Sequence, residues 1–363
     1  MDAKGRMTAV LHLYPYFLAV IGAATIYAGG FWPFVFVAWV FGGNAILEAL
    51  LPNPVRPRET GPSRDSPYYV AVVAAALPVQ LATAAYALYR IGYTEVSWLE
   101  IAGITLFLGT SGGSLAMVAA HELVHRREAW LRGVGVGLLL LVNNPHFRIE
   151  HVYNHHKTVG TPRDPATARL GENVYAFVAR SISGQYLSAW RIEADRLRRR
   201  GQAPLGPRNR MLQYLAIMAV VNVGVLLIFG WLGLAVFLVQ SYLALNALEF
   251  INYIEHYGLT RREIAPGRYE PFGPQHAWNS AHFAPDYGLF KLGRHSAHHM
   301  DAHLAYPDLY NEADAPQLPT GYAGSYLLAL FPPLWRKVMD PRVAAVEASQ
   351  ATAEGRPSDP VPA

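Results

Sequence analysis

Six long hydrophobic runs restrict the fold of this chain more than any other feature of its sequence. They cover residues 10–30, 32–51, 68–90, 97–119, 211–231 and 233–251. About 20 apolar residues in a helix span the hydrocarbon core of a bilayer, and the core of a water-soluble protein holds few such helices. We therefore predict an all-α integral membrane fold with six transmembrane helices. Only 15% of the residues are charged, against roughly 25% in soluble domains, which favours the same fold.

The arginine and lysine residues between these runs predict the orientation of the helices. They are concentrated before the first run, between the second and third runs, and in the segment 120–210. Loops rich in Lys and Arg remain on the cytoplasmic side of a membrane. We therefore expect a multi-pass protein of a bacterial inner membrane, with both termini and the segment 120–210 in the cytoplasm. These charges account for the net charge of +4, so the sequence gives no reason to expect a nucleic-acid partner.

Nine of the fourteen histidines lie in four short segments, and three of these segments have the spacing of ligands on a helix. Residues three or four apart project from the same face of a helix. Their imidazoles can therefore converge on a metal ion, which neutral imidazole binds readily. By the orientation given above, all four segments lie on the cytoplasmic side. The predicted metal ligands are His121, His125, His151, His155, His156, His256, His295, His298 and His299.

The residue types at these positions narrow the choice of metal. The chain contains no cysteine, which excludes iron–sulfur clusters and thiolate zinc sites. Imidazole ligands suit Zn, Cu, Fe and Ni rather than Mg²⁺ or Ca²⁺. The pair His121 and His125 has the H-E-x-x-H form of a zinc protease helix, but one zinc ion takes only about four ligands. Nine clustered imidazoles therefore suit two ions with about four to five ligands each.

The segments outside the six runs are assigned to the cytoplasmic side or to a tail. Residues 131–147 are apolar, but a crossing there would separate the first two histidine segments, so we predict a helix or re-entrant segment at the cytoplasmic face. Residues 172–200 have the pattern of an amphipathic surface helix. We assign residues 1–345 to one membrane domain. Residues 346–363 are rich in Ala, Ser, Pro and Gly, and we predict a disordered tail.

Carboxylates beside the histidines are candidates for assisting or orienting the metal ligands. Metal-bound imidazoles usually donate their second N–H to a carboxylate or carbonyl. Glu255 adjoins His256, and Glu249 lies two helical turns earlier, inside the sixth run. Acidic residues at that depth are costly and usually functional, so we predict catalytic roles for Glu249 and Glu255, although pairing with an Arg would also explain Glu249. Residues predicted to support the ligands are Glu122, Glu150, Asn252, Asp164, Asp301 and His282.

Four motifs give the chain a specific resemblance to a known family. They are the histidine segments 121–125 and 151–156, the sequence Asn-Tyr-Ile-Glu-His-Tyr-Gly-Leu at 252–259, and the segment 292–299. Residues 161–165 and 332–342 carry further matching motifs. Over residues 10–342 the chain resembles the AlkB-type integral-membrane alkane 1-monooxygenases, a family that also contains xylene and cymene monooxygenases. The segment 300–307 departs from the family pattern after the last histidine motif.

The resemblance implies a reaction and its cofactors. It implies a six-helix bundle with a cytoplasmic helical cap that holds two iron ions, with O₂ as co-substrate. The expected reaction is hydroxylation of an unactivated C–H bond, such as the terminal methyl group of an alkane or alkyl-aromatic. An apolar hydrocarbon substrate would enter from the bilayer. Candidates for lining its channel are Trp39, Leu47, Leu108 and Leu115, of which the last two are seven residues apart and would share a helix face.

The chain also needs a source of electrons. It has no cysteine and no flavin or nicotinamide fingerprint, so a separate carrier must dock near the metal site. The resemblance implies a rubredoxin-type electron donor with its NAD(P)H-dependent reductase. The predicted cytoplasmic face carries Arg126, Arg127, Arg132 and the basic run 196–200, and we therefore expect the carrier to be acidic.

Two other functions remain open at this point. A membrane fatty-acyl desaturase or hydroxylase has the same imidazole-rich di-iron chemistry, although the segments 151–156 and 252–259 match the monooxygenases better. A histidine-rich metal transporter or sensor would carry its histidines along the transmembrane helices. The clustering of the histidines on one predicted side of the membrane disfavours this second alternative.

Overall fold

The computed structural model is mostly helical, with very little sheet, over the part of the chain that it describes, residues 9–51, 66–312 and 314–353. The first four helices are α1 (Ala9–Ala28), α2 (Trp32–Leu50), α3 (Pro67–Tyr93) and α4 (Trp98–Val124). They are followed by α5 (Ala129–Leu140), α6 (residues 147–158), α7 (Val174–Arg198) and α8 (Arg210–His256). After a small antiparallel pair of strands, β1 (Glu263–Ala265) and β2 (Arg268–Tyr269), come α9 (His295–Met300), α10 (Tyr322–Ala329) and α11 (Pro332–Ala353).

Among the described residues, five helices are long and apolar enough to cross a membrane, namely α1 to α4 and α8. Helix α8 has 47 residues and is interrupted at Gly230, whose φ of 73° is a left-handed conformation that suits glycine. The Asn143 side chain accepts from Asn222 Nδ2 at 2.8 Å and donates to Ser241 Oγ at 2.9 Å. On a straight helix Asn222 and Ser241 would be about 28 Å apart. The chain therefore folds back at Gly230, where a turn between the fifth and sixth runs was predicted.

Small residues bring α4 close to the second arm of α8. A Cβ atom on Gly113 would lie 2.8 Å from the Cβ of Ala247, and one on Gly109 would lie 2.5 Å from the Cβ of Leu243. Such small residues are favoured at helix interfaces in lipid because they permit close approach. The contacts advance in the same direction along both helices, so the two segments run parallel. They bring the end of α4, which carries His121, beside the end of α8, which carries His256.

Helix α5, in the apolar segment after the first histidine motif, is shorter than a transmembrane helix. Its 12 residues are too few to span a bilayer, which takes about 20. A Cβ atom on Gly135 would lie 3.0 Å from the Cβ of Leu123, so α5 packs closely on α4. The short helix α6 and the long helix α7 then complete a layer over the histidine-bearing ends of α4 and α8, and α7 matches the predicted surface helix.

The end of the folded region lies beyond the predicted domain boundary. Helix α11 continues to Ala353, so the prediction of a disordered tail from residue 346 is wrong for residues 346–353. Trp335, Met339 and Val343 are fully buried at helical spacing on one face of α11, and the partly buried Val346 continues that face. The Ala- and Ser-rich composition obscured this face in the sequence. Residues 354–363 of the predicted tail lie outside the described residues.

Candidate metal centre

The nine histidines predicted from the sequence converge into two buried groups. Within each group the candidate ligand atoms all lie within 4.8 Å of one another. The two groups therefore have the size that single metal ions would need. The five-histidine group contains His121, His125, His151, His156 and His298. The four-histidine group contains His155, His256, His295 and His299.

A π-helical segment in α6 determines which of its histidines belong to each of the two groups. Spacing on an α-helix predicts that His151 and His155 point the same way, but their ligand atoms belong to different groups. Residues His151–His155 form a π-helix, in which the backbone repeats from residue i to residue i+5. As a result His151 Nε2 faces His156 Nε2 at 3.0 Å, while His155 belongs to the other group.

Helix α9 contributes to both groups. His298 Nε2 lies 2.9 Å from His121 Nε2 and 3.1 Å from His156 Nε2 in the five-histidine group. His295 Nε2 lies 3.1 Å from His256 Nε2 and 2.9 Å from His299 Nε2 in the four-histidine group. One short helix therefore holds the two groups side by side.

The spacing of the ring nitrogens fits metal ions of high coordination number. Facing nitrogens are 2.9–3.1 Å apart. Two nitrogens bound at about 2.1 Å and at right angles would be roughly 3.0 Å apart, whereas tetrahedral angles would give roughly 3.4 Å. The short separations and the five-membered group suit five- or six-coordinate ions better than tetrahedral zinc.

The protonation state of the imidazoles also suits metal binding. Burial lowers the pKa of His298 to about 3 and holds the pKa of His151, His156 and His299 well below 6.5. These imidazoles are therefore neutral near pH 7, which is the form that binds metals. Burial is the strongest single influence on His155 and acts to lower its pKa, but the carboxylates of Asp164, Glu150 and Glu249 together raise the pKa overall.

Two carboxylates lie beside the Nδ1 atoms of histidines in the four-histidine group. Asp164 Oδ2 lies 3.0 Å from His155 Nδ1 and accepts from Thr167 Oγ1 at 2.6 Å. Glu255 Oε1 lies 3.1 Å from His295 Nδ1. The Asp164 carboxylate is hydrogen-bonded to His155, so it orients that imidazole and increases its basicity as a ligand. The Glu255 carboxylate approaches His295 Nδ1 closely without the geometry of a hydrogen bond. Asp164 thus lies where the sequence predicted a supporting residue, and Glu255 occupies the same kind of position.

The other predicted carboxylates lie near the groups with different partners. Glu122 pairs with Arg126 at 2.6 Å and accepts from the Tyr306 amide. Glu150 is buried and accepts from Asn154 Nδ2 at 2.7 Å, and burial raises its pKa to about 8. Asp301 ends α9 and acts through its charge on His298.

Three other predicted residues have their hydrogen-bond partners outside the two histidine groups. Glu249 accepts from Gln185 Nε2 at 2.8 Å and from Asn252 Nδ2 at 3.4 Å, and so it is held by amides rather than by an arginine. Asn252 therefore acts on Glu249. His282 Nδ1 lies 2.9 Å from Ser280 Oγ, away from both histidine groups.

An apolar cavity of about 120 Å³ lies among α1, α2, α4, α8 and α10, against the roughly 10–15 Å³ that one water molecule needs. Its wall includes Val118, Leu289 and Leu292. The same three residues also line a small pocket that includes His121 and His298. The large cavity is therefore separated from the five-histidine group by a thin apolar wall.

Only one of the four predicted channel residues lines this cavity. Leu115 does, whereas Trp39, Leu47 and Leu108 do not. Leu108 packs in a separate core cluster, and Trp39 is 47% exposed. The shared face predicted for Leu108 and Leu115 is wrong because residues Gly112–Met117 form a π-helix, which shifts the later residues around the helix axis.

The structure also shows two residues that the sequence analysis missed. Tyr322 donates its hydroxyl hydrogen to Glu255 Oε1, and Glu48 lines the cavity. The signal for Glu48 was present, because a carboxylate within an apolar run is costly in a membrane and usually has a purpose. Tyr322 lacked any comparable signal, since a tyrosine in an apolar helix is ordinary.

The helical bundle and its two buried imidazole groups define a class, the histidine-rich membrane metalloenzymes. Residues 97–325 match the fatty acid desaturase family. The chain is 41% identical over 332 residues to alkane 1-monooxygenase 1 of Pseudomonas aeruginosa, with 89% of this chain and 87% of that protein covered. It is 38% identical to alkane 1-monooxygenase of Ectopseudomonas oleovorans (87% and 79% covered) and 30% identical to the xylene/toluene monooxygenase hydroxylase component XylM of Pseudomonas putida (86% and 83% covered).

These similarities extend over most of each protein. The chain therefore belongs to the alkane 1-monooxygenase family, as its motifs indicated, and it is an oxidoreductase of the hydroxylase type.

Proposed function

We propose that this protein hydroxylates an unactivated C–H bond of an apolar hydrocarbon, at the terminal methyl group of an alkane or alkyl-aromatic compound. The observation that carries the proposal is the pairing of two buried imidazole groups with an apolar cavity that ends against one of them. Similarity to proteins named as alkane and xylene monooxygenases supports both substrate types.

We assign one iron ion to each histidine group. When bound there, the two ions would supply the activation of O₂ and the cleavage of the C–H bond. The residues of the chain contribute the neutral nitrogens and their fixed directions. His125 Nε2 and His155 Nε2 are buried without a hydrogen-bond partner. Burying a polar atom without a partner costs free energy, and a bound ion would remove that cost.

The apolar cavity is the proposed substrate site. Val118, Leu289 and Leu292 stand between it and the pocket beside His121 and His298. These side chains would keep bulk water from the five-histidine group, and they would have to move aside for an end of the substrate to reach it. A substrate chain lying in the cavity would then present its terminal methyl group first, which favours terminal oxidation.

We infer that the chain crosses a bacterial inner membrane six times, with the termini and the metal centre in the cytoplasm. The fold-back of α8 at Gly230 supports counting its two arms as separate crossings. The basic residues of the predicted cytoplasmic segments support the orientation. Those before residue 9 and between residues 52 and 65 lie outside the described residues.

We propose an acidic rubredoxin-type protein as the electron donor, supplied by an NAD(P)H-dependent reductase. Several of the arginines suggested for its docking are engaged elsewhere: Arg126 pairs with Glu122, and Arg196 pairs with Glu193. Arg127 is exposed and is therefore the better test. Arg127→Glu should raise the half-saturating donor concentration several-fold and leave the iron content unchanged. High salt should weaken docking of the wild-type pair as well. If neither change alters the donor dependence, the docking surface is elsewhere.

Product analysis tests the proposed reaction. Protein in lipid nanodiscs, supplied with a rubredoxin and its reductase, would be offered octane, hexadecane, p-xylene and a fatty acid. We expect primary alcohols from the hydrocarbons. An unsaturated fatty acid as the only product would favour a desaturase instead, and no O₂-dependent product from any of the four would contradict the proposal.

A further inference from the structure

A chain of contacts connects the apolar cavity to the four-histidine group. It begins at Glu48 of α2, which accepts from backbone amides in the first turn of α10. It continues through the side chain of Tyr322, in the same turn, and reaches His295 through Glu255. The proposed function uses Glu255 only as a neighbour of His295 and gives Glu48 and Tyr322 no part. The inference drawn below from these contacts rests on the proposed function and adds roles for two further residues.

The first contact holds α10 in place from inside the membrane bundle. Glu48 is 4% exposed, and its two carboxylate oxygens accept from the amides of Ala323 and Gly324 at 3.1 and 3.0 Å. These amides lie in the first turn of α10, where no carbonyl of the helix can reach them. A Cβ atom on Gly321 would lie 2.1 Å from the Glu48 carboxyl carbon, so the close approach depends on glycine there.

The second contact joins α10 to the metal centre. Tyr322 is the first residue of α10 and is 3% exposed. Its hydroxyl donates to Glu255 Oε1, the same oxygen that lies 3.1 Å from His295 Nδ1. The position of this oxygen therefore depends on Tyr322, and the position of Tyr322 depends on the start of α10. Glu48 and Tyr322 also both line the cavity.

A purely structural explanation exists and makes a different prediction. Glu48 could serve only to cap α10, and Tyr322 could serve only as buried volume. In that case their replacement would weaken the whole fold and loosen both histidine groups equally. The contacts lead to one group alone, because His295 belongs to the four-histidine group.

We propose that Tyr322 and Glu48 are positioning residues for the four-histidine group. Through Glu255 they fix the direction of the His295 imidazole, and they connect that direction to the wall of the substrate cavity. The five-histidine group lies outside this connection.

The test measures how fast iron leaves each group. Iron-57-loaded protein in detergent would be mixed with an excess of an iron chelator, and the release would be followed together with the Mössbauer spectrum of the iron that remains. Tyr322→Phe removes one hydroxyl group and keeps the ring. Tyr253→Phe is the matched control, since Tyr253 is also fully buried and donates to the backbone oxygen of Glu172, without contact to a carboxylate at a candidate ligand.

We expect Tyr322→Phe to accelerate release from one of the two iron environments about tenfold, at the lower end of the 10–100-fold effects of residues that hold metal ligands, and to leave the other environment unchanged. Glu48→Gln should have a smaller effect on the same environment, while Tyr253→Phe should alter neither. Equal acceleration of both environments, or no change in Tyr322→Phe, would overturn the proposal.

These results separate the inference from the proposed function. Wild-type protein that binds a single ion contradicts the two-iron function itself. Wild-type protein with two ions and an unaffected Tyr322→Phe variant contradicts only the positioning role. If Glu48→Gln does not fold, Tyr322→Phe decides alone, because a tyrosine-to-phenylalanine change leaves the ring packing of α10 in place.

Discussion

The five-histidine group and the four-histidine group share helices α6 and α9 but are stabilised differently. In the four-histidine group, Asp164 contacts His155 and Glu255 contacts His295. The five-histidine group has one more imidazole, and His121 and His298 of this group border the pocket next to the apolar cavity. From this comparison we propose a division of labour: carboxylates would support the ligands of one ion, while the other ion would be held by imidazoles alone, beside the proposed substrate site.

The largest effect is expected at His298, the residue that connects three elements of the five-histidine group. His298→Ala removes a nitrogen that lies within 3.1 Å of both His121 and His156. We expect hydroxylation to fall below detection and the iron content to fall from about two ions per chain to about one. Alcohol formation and metal analysis of the purified variant measure these effects. Full activity in His298→Ala would break the proposed distinction between the groups.

The next largest effect is expected where a carboxylate contacts the four-histidine group. Glu255→Gln should lower turnover about 10–100-fold, the range for residues that orient metal ligands. Glu249→Gln is the matched control on the same helix, because Glu249 is held by Gln185 and Asn252 and lies outside both groups. Its effect should be smaller. A larger loss in Glu249→Gln would restore the direct catalytic role that the sequence suggested for Glu249.

Acid should destabilise the metal-free protein through both groups. The pKa of His298 is about 3, and those of His151, His156 and His299 are well below 6.5, so these residues bind fewer protons when folded than when unfolded. The stability that their neutral forms confer is fully present above about pH 6.5, the pKa of histidine in the unfolded chain. It is lost as the pH falls below that value, by up to about 1.4 kcal/mol per histidine for each pH unit. Thermal unfolding of metal-free protein should therefore occur at lower temperature at about pH 5 than at about pH 7. A constant unfolding temperature would contradict this account.

The smallest effect is expected in the cavity wall. Leu115→Ala enlarges the proposed substrate site, and we expect it to change the ratio of hexadecanol to octanol several-fold at constant iron content. Leu108→Ala is the matched control, since Leu108 is equally buried on the same helix but lies in a different core cluster. Both variants lose packing, so only the product ratio distinguishes them. An equal change of the product ratio in both variants would contradict the proposal that the substrate lies in this cavity.

The convergence of the nine histidines was predictable from sequence, but their division into two groups was not. Helical spacing and the absence of cysteine identified the nine histidines without reference to any structure. The π-helix at His151–His155 then paired His151 with His156. The formation of a π-helix depends on packing around the segment, and the intervening residues Val152, Tyr153 and Asn154 give no local signal for it.

A similar limit applies to the fold and the cavity. The hydrophobic runs predicted the long helices, and the break between the fifth and sixth runs predicted the fold-back of α8. They did not predict which residues line the cavity, because the π-helix at Gly112–Met117 breaks the period that relates Leu108 to Leu115. The contact between Glu48 and α10 joins residues about 275 positions apart, and no local pattern carries such information.

The neighbours His298 and His299 provide the most direct test of two separate ions. They adjoin in sequence, yet they belong to different groups. In iron-57 Mössbauer spectra, wild-type protein should show two iron environments of equal intensity. His298→Ala should lose one of them and His299→Ala the other. Loss of the same environment in both variants, or a single environment in the wild type, would contradict the account.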